Sequence, residues 1–227
     1  LPQGHHARLR ESMSAFTQAL LSGSPPITGL DRSIIINPRR FHLTLGVMSL
    51  GRSSEDVAAA LALLSELRPR ILGILAGEKL RVELKAMDIM KPDRGDPERA
   101  HVMWMGPRNN GSGTKLREVC LLVQRAFLDA GLLVVEHRDL KLHCTVINTV
   151  YRKPRSRGAR TPFSYPSILG SAAFRELNVP AVDLAGRRKI DPVAVDFGQW
   201  DVEEIQVCEM GSHGPEDEYV SVGGISL

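Results

Sequence analysis

Apolar residues recur along this chain with two different periods. Over 7–21, Leu9, Met13, Phe16 and Leu20 fall on one side of a 3.6-residue spiral, which predicts a first helix ended by the Ser- and Pro-containing stretch 22–26. Val57, Ala60, Leu61 and Leu64 make the inward stripe of a second helix, opened by Ser53 with Asp56 three residues on, as in a capping box. Pro69 should stop or kink it, with a short apolar helix following as far as Leu75. Leu116, Val119, Cys120, Val123 and Phe127 define a third helix that stops at Gly131. Elsewhere the period is two. Val82, Leu84 and Ala86 alternate with Arg81, Glu83 and Lys85 over 80–87, and Val102-Met103-Trp104-Met105 supplies a second strand closed by Gly106-Pro107. With the polar loop 91–99 between them, the two read as a hairpin. Strands are also expected at 41–50, after the Asn37-Pro38 turn, at 132–135, at 142–150, and near 200–210 and 219–226. Strand pairs interleaved with helices in this order predict an α+β fold.

Two of these strands carry nearly the same message: Phe41-His42-Leu43-Thr44-Leu45 and Leu142-His143-Cys144-Thr145-Val146. Residues two apart on a strand share a face, so His42 points with Thr44 and His143 with Thr145, while Leu43 and Cys144 point into the core. An imidazole gives or takes a proton near neutral pH, and a hydroxyl holds a phosphoryl oxygen. Two such pairs facing each other would make an acid/base site that requires no metal. A single His-x-Thr occurs by chance in a chain with seven histidines; two copies, both flanked by apolar residues at the alternating positions, are a stronger signal. The plain structural alternative is two ordinary strands with half-exposed histidines. His5, His6, His101, His137 and His213 lack this context and are expected to be solvated or structural. The two motif strands in comparable settings also suggest an internal duplication of two similar lobes.

Length and composition narrow the remaining choices. With 227 residues and 43% hydrophobic content, the chain can bury the core of one large domain spanning 1–227. Cys120, Cys144 and Cys208 have no metal-ligand spacing, their odd number suits a reducing compartment, and the first two sit in apolar patterns that read as core. No metal and no cofactor is expected, and no apolar run approaches the roughly 18 residues that a membrane span requires. The net charge of +3 does not by itself demand a polyanionic partner. Its distribution is more informative, because Arg152, Lys153, Arg155, Arg157 and Arg160 crowd the start of a Pro- and Gly-containing stretch, 151–170, read as an insertion loop. Such a loop either recruits nucleic acid through backbone charge or is simply solvated. Trp104 either stacks on a base or, as a lone Trp more often does, packs in the core.

The doubled pattern, His42-Leu43-Thr44-Leu45 and His143-Cys144-Thr145-Val146, resembles the two-histidine (2H) phosphoesterase superfamily, with its similarity to 2′-5′ RNA ligases and cyclic phosphodiesterases. Within it, the longer segments 37–48 and 141–149 look most like two phosphoesterase-like domains. One belongs to an A-kinase anchoring protein with a nuclear signal, the other to the KH-containing subunit of the activating signal cointegrator complex. Ile205-Gln206-Val207-Cys208-Glu209-Met210-Gly211 is similar to the penultimate strand of that group. The resemblance implies two antiparallel sheets facing across a cleft with helices outside. It implies a phosphodiesterase acting on RNA ends, cyclic phosphates or short oligonucleotides, in which His42 and His143 share acid and base duties and Thr44 and Thr145 hold the phosphate. The alternative it leaves is a nucleotide- or RNA-binding module without turnover, inside a transcription- or repair-associated assembly. RNA and cointegrator-like protein subunits are the implied partners, in the nucleus or cytoplasm with the nucleus preferred. Relatives begin with a strand before the first helix, and here only Leu1-Pro2-Gln3 offers its tail. The chain, which starts without Met, is therefore expected to be an excerpt, with any KH module outside it.

Overall fold

Helix α1 (Ala7–Ser22) forms where the 3.6-residue stripe predicted it and buries Leu9, Met13, Phe16 and Leu20. Thr17 is also buried on that face, its hydroxyl satisfied by the Met13 carbonyl at 2.8 Å. The structure is a computed structural model describing residues 1–49, 54–135, 139–154, 158–177 and 191–227. The expected capping residue Ser53 lies outside the described residues. Helix α2 (Ser54–Leu75) continues through Pro69, where a stop or kink was expected. An interior proline costs about 3 kcal/mol. The stripe Ala60, Leu64, Leu67, Ile71 and Leu75 continues on one buried face across it, and each fully buried aliphatic side chain contributes about 1.5–3 kcal/mol, so the sum favours one unbroken helix.

The expected strand at 80–87 is two strands, β1 (Arg81–Glu83) and β2 (Ala86–Ile89). The second forms the predicted hairpin with β3 (Val102–Gly106), in antiparallel register with Met87 opposite Met105 and Asp88 opposite Trp104. Helix α3 (Lys115–Asp129) follows, capped by the Thr114 hydroxyl, with all five expected apolar residues buried. Then come β4 (Cys144–Asn148), the short helices α4 (Tyr165–Leu169) and α5 (Ala172–Arg175), and the strands β5 (Val193–Ala194), β6 (Gln199–Asp201), β7 (Glu204–Cys208) and β8 (Ser221–Ser226).

Among the described residues every sheet is antiparallel: a four-stranded sheet in the order β4-β3-β2-β5, and the pairs β1-β6 and β7-β8. Helices α2 and α3 pack on each other, α2 covers β8, and α1 packs on α5. The α+β reading with antiparallel sheets is therefore what the chain adopts. Three further local expectations change. Residues 41–49, expected as a strand, form only the isolated bridge of His42 to Pro2. Residues 132–135 join no ladder, although Val134 N donates to the Val47 carbonyl at 2.9 Å. The insertion at 151–170 is not loop throughout: Phe163, Tyr165 and Ile168 are buried, and Phe163 pairs with Ala100. The apolar residues in its second half pull it onto the domain.

Candidate active site

The second motif runs into β4, which begins one residue after His143, and its burial follows the alternation of the sequence. Leu142, Cys144 and Val146 are buried, while Lys141, His143 and Thr145 are half-buried on the opposite face. The first motif repeats this, with Phe41 and Leu43 buried and His42 and Thr44 half-buried. Its backbone is held differently. In place of a continuous ladder, Leu1 and Leu43 exchange two backbone bonds of 3.0 and 2.9 Å, Pro2 bridges His42, and Gln124 Nε2 donates to the Leu45 carbonyl at 3.1 Å. The segment before the first pentamer is tied to the end of the second motif. Ile36 N donates to the Val146 carbonyl at 2.9 Å, and Ile35 bridges Ile147.

Both imidazoles are oriented by the same contact. Nδ1 of His42 lies 2.7 Å from the Arg40 carbonyl, and Nδ1 of His143 lies 2.7 Å from the Lys141 carbonyl. A carbonyl only accepts, so Nδ1 carries the proton in each neutral ring, and proton exchange with a ligand falls to Nε2. Burial pushes the His42 pKa down to about 4, against the upward pull of the Arg40 carbonyl. The charge of His143 adds to the lowering, so the two rings sense each other. A cavity of about 1200 Å³ opens beside the first motif, with His42, Thr44, Tyr151 and Tyr219 in its wall. His143 and Thr145 are not part of its lining.

Residues two before each histidine extend the repeat. The Arg40 guanidinium lies 4.0 Å from the centre of the Tyr219 ring, and the Lys141 ammonium lies 4.0 Å from the Trp104 ring. The same two rings meet the motif histidines edge-on. His42 and Tyr219 have centroids 4.9 Å apart with planes at 76°; His143 and Trp104 are 6.3 Å apart at 75°. Arg40 also donates to the carbonyls of Ser212 and Asp217, both at 2.9 Å, and so ties the 209–219 segment to the first motif.

Sequence comparison matches residues 4–227 to the model of one family, the AKAP7 2′5′ RNA ligase-like domain. The chain belongs to that family. Two-histidine phosphoesterase membership, expected from the paired motifs, is thereby shown. Over 156 residues the chain is 28% identical to activating signal cointegrator 1 complex subunit 1 of Mus musculus, covering 68% of this chain and 43% of that protein. The chain thus spans less than half the length of this relative. Among solved structures, E. coli LigT complexed with 3′-AMP superposes with a TM-score of 0.51 at 16% identity, covering 96% of this chain and 92% of the other. A phosphoesterase crystal structure gives 0.48 at 14% identity. The LigT match shows that the fold is shared.

For this RNA ligase-like domain, the remaining candidates divide. Arg152 is bound inward: it pairs with Asp31, and its guanidinium also donates to the Thr161 carbonyl at 3.2 Å. It therefore braces the turn before the insertion and leaves little charge for a ligand. Lys153 and Arg160 are exposed, and Arg155 and Arg157 lie outside the described residues. Trp104 is 4% exposed, with the Lys141 ammonium on its ring, so the structure shows it packed in the sheet and not open for base stacking. Of the other histidines, His6 contacts the Asp201 carbonyl, His101 bridges Thr149 and Asp93, and His213 pairs with Asp217. His137 lies outside the described residues. Among the described residues no group of three or more His, Cys, Asp or Glu is placed to hold a metal, and no helix is long and apolar enough to cross a membrane. Sequence reasoning missed Arg40, Lys141, Tyr219 and Tyr151. The first two carried a legible signal, since a cation stands two positions before each histidine. Tyr219 had none, being 177 residues from His42.

Proposed function

We propose that this domain is a phosphodiesterase acting on RNA ends, 2′,3′-cyclic phosphates or short oligonucleotides, with His42 and His143 as its acid/base pair. The observation carrying this reading is the duplicated orientation: two imidazoles, each with Nδ1 bound to a carbonyl at 2.7 Å and each beside a threonine on the same face. Opening of a 2′,3′-cyclic phosphate then proceeds in balance. One imidazole takes a proton from water through Nε2 as the water oxygen bonds to phosphorus, and the other gives a proton to the departing ribose oxygen. One P–O bond forms, one breaks, and one water is consumed. Thr44 and Thr145 donate to the non-bridging oxygens as charge builds on them. Both proton transfers are made by protein groups, so a chelator should leave the rate unchanged.

The phosphate itself adjusts the site. His42 is held neutral by burial in the unliganded protein, and an anion within about 4–6 Å favours the imidazolium, so binding an anionic phosphate prepares a proton donor. Family membership supports the RNA assignment, and the bound 3′-AMP of LigT supports a nucleotide in this cleft. The cointegrator relative is itself a complex subunit, which supports a setting among protein partners in the nucleus.

Incubation with 2′,3′-cyclic, 2′-5′-linked and 3′-5′-linked substrates, with products identified by mass, tests the proposal. Cleavage lost in the His42→Ala/His143→Ala protein supports it. Nucleotide binding without cleavage, unchanged in the double variant, would make the cleft a docking site inside a larger assembly.

A further inference from the structure

Each motif histidine has the same three neighbours: a carbonyl at Nδ1, an aromatic ring at its edge, and a cation on the face of that ring. In the first motif these are the Arg40 carbonyl, Tyr219 and the Arg40 guanidinium. In the second they are the Lys141 carbonyl, Trp104 and the Lys141 ammonium. One residue thus supplies both ends of each device, its backbone fixing the histidine and its side chain fixing the ring that confines the histidine. The two rings come from unrelated places, Trp104 from β3 and Tyr219 from the segment before β8, and neither has a counterpart in the other motif's sequence. Local sequence repetition cannot produce that match, because only the cation and histidine are repeated along the chain.

We propose that Tyr219 with Arg40, and Trp104 with Lys141, are positioning pairs that hold the two imidazoles in the Nδ1–H tautomer with Nε2 toward the phosphate. An imidazole hydrogen-bonded at one nitrogen can still turn about the bond to its ring. An edge-to-face neighbour 4.9 to 6.3 Å away narrows that rotation. The aromatic ring is narrowed in turn, because moving it away forfeits its contact with the cation. The pairs differ in how the cation is used. Arg40 is 8% exposed, and its donors go to Ser212 and Asp217, so it is wholly structural. Lys141 is half-buried, with Met90 Sδ 3.9 Å away and the Asp88 charge within electrostatic reach. Its positive charge therefore stands on the same strand face as His143 and Thr145, where a phosphate would bind.

The catalytic consequence rests on the phosphodiesterase reading; the positioning itself does not, and the experiment separates them. Long-range ¹⁵N NMR of the histidine rings reports the tautomer without turnover, and kcat and KM on a 2′,3′-cyclic-phosphate-ended oligonucleotide report chemistry. Tyr219→Leu should mix the His42 tautomers and lower kcat about tenfold or more with KM nearly unchanged, since small misplacements of a catalytic group act on the chemical step. Tyr219→Phe, which keeps the ring, should restore most of both losses. Lys141→Met should do to His143 what Tyr219→Leu does to His42 and also raise KM, with Lys141→Arg as its rescue. Trp104 is too buried to truncate without risk to the fold, so Lys141 serves for that pair. Tautomers unchanged in Tyr219→Leu and Lys141→Met would overturn the inference even if the wild-type protein proved active. Mixed tautomers in a protein that cleaves nothing would leave the positioning intact and remove the phosphodiesterase reading.

Discussion

The two motif segments share an apolar-His-apolar-Thr-apolar pattern and differ in what supports them. Residues 144–148 are an edge strand of the four-stranded sheet, fixed by antiparallel pairing with β3. Residues 41–44 have the same alternation and the same Nδ1 contact, yet their segment is held by isolated bridges, by Gln124 and by the Arg40 ties to Ser212 and Asp217. The pentamer therefore specifies which side chains face the site, and its surroundings decide how firmly. His143, one residue before its strand, takes rigidity from the backbone pairing of the residues that follow it. A histidine on the first segment must take it from side chains, which explains why the polar ties are concentrated there.

If the two halves are equal in chemistry despite this difference, His42→Ala and His143→Ala should cost about the same. Each proton transfer contributes about 10² to 10⁴ in rate, so either variant should lose nearly all hydrolysis of a 2′,3′-cyclic-phosphate-ended oligonucleotide while its circular dichroism stays native. The wild-type pH–rate profile should be bell-shaped. A loss confined to one histidine would break the symmetry and leave the other as an orienting group.

The next effect belongs to His42. Its folded pKa of about 4 lies below the ordinary value of 6.5, so the folded state binds fewer protons than the unfolded one in that interval. The stabilising contribution is complete above about pH 6.5 and is lost as pH falls through 4, in total by roughly 3 kcal/mol. Urea unfolding at pH 7, 5.5 and 4 checks this, and in His42→Gln that component of the acid sensitivity should vanish.

Arg40→Met should destabilise by roughly 2 kcal/mol, because two carbonyls lose their donor in a partly buried setting. Lys141→Met should cost less than 1 kcal/mol, the order of a partly exposed cation–π contact. Denaturant midpoints of the two variants measure the contrast directly, and equal losses would remove the argument that the first motif depends on side-chain ties.

That contrast also explains what could be read from the chain. Alternation located His42, Thr44, His143 and Thr145, because strand facing is a local property that two-residue spacing encodes. The hairpin of β2 and β3 was legible for the same reason. Unbroken α2 was not, since the penalty at Pro69 is local while the burial that outweighs it depends on the rest of the core. Tyr219 and the inward turn of Arg152 toward Asp31 were equally hidden, since each partner lies more than a hundred residues away.

Smaller effects are expected at the threonines. A hydroxyl donating to a charged phosphoryl oxygen is worth about 1.5 kcal/mol or somewhat more, so Thr44→Val and Thr145→Val should each lose about tenfold in kcat/KM. Steady-state kinetics on the cyclic substrate would show it, and a loss as large as that of the histidine variants would make the hydroxyls part of the proton path.

The smallest effect separates the basic residues after the second motif. Arg152 is already committed to Asp31, whereas Lys153 and Arg160 are exposed. If the segment guides RNA, it does so by neutralising phosphates and releasing counterions, which appears as a slope in log affinity against log salt of about −0.7 per contact on a single strand. Lys153→Ser with Arg160→Ser should therefore lower the slope by at most about 1.4 with little loss of stability. Arg152→Ser should instead reduce stability and leave the slope alone, because its charge is spent inside the protein. Filter binding of a short single-stranded RNA across a salt series gives both numbers. A slope that falls only with Arg152 would mean that the Asp31 pair opens to receive RNA, and an unchanged slope in every variant would make the segment an insertion without a role in recognition.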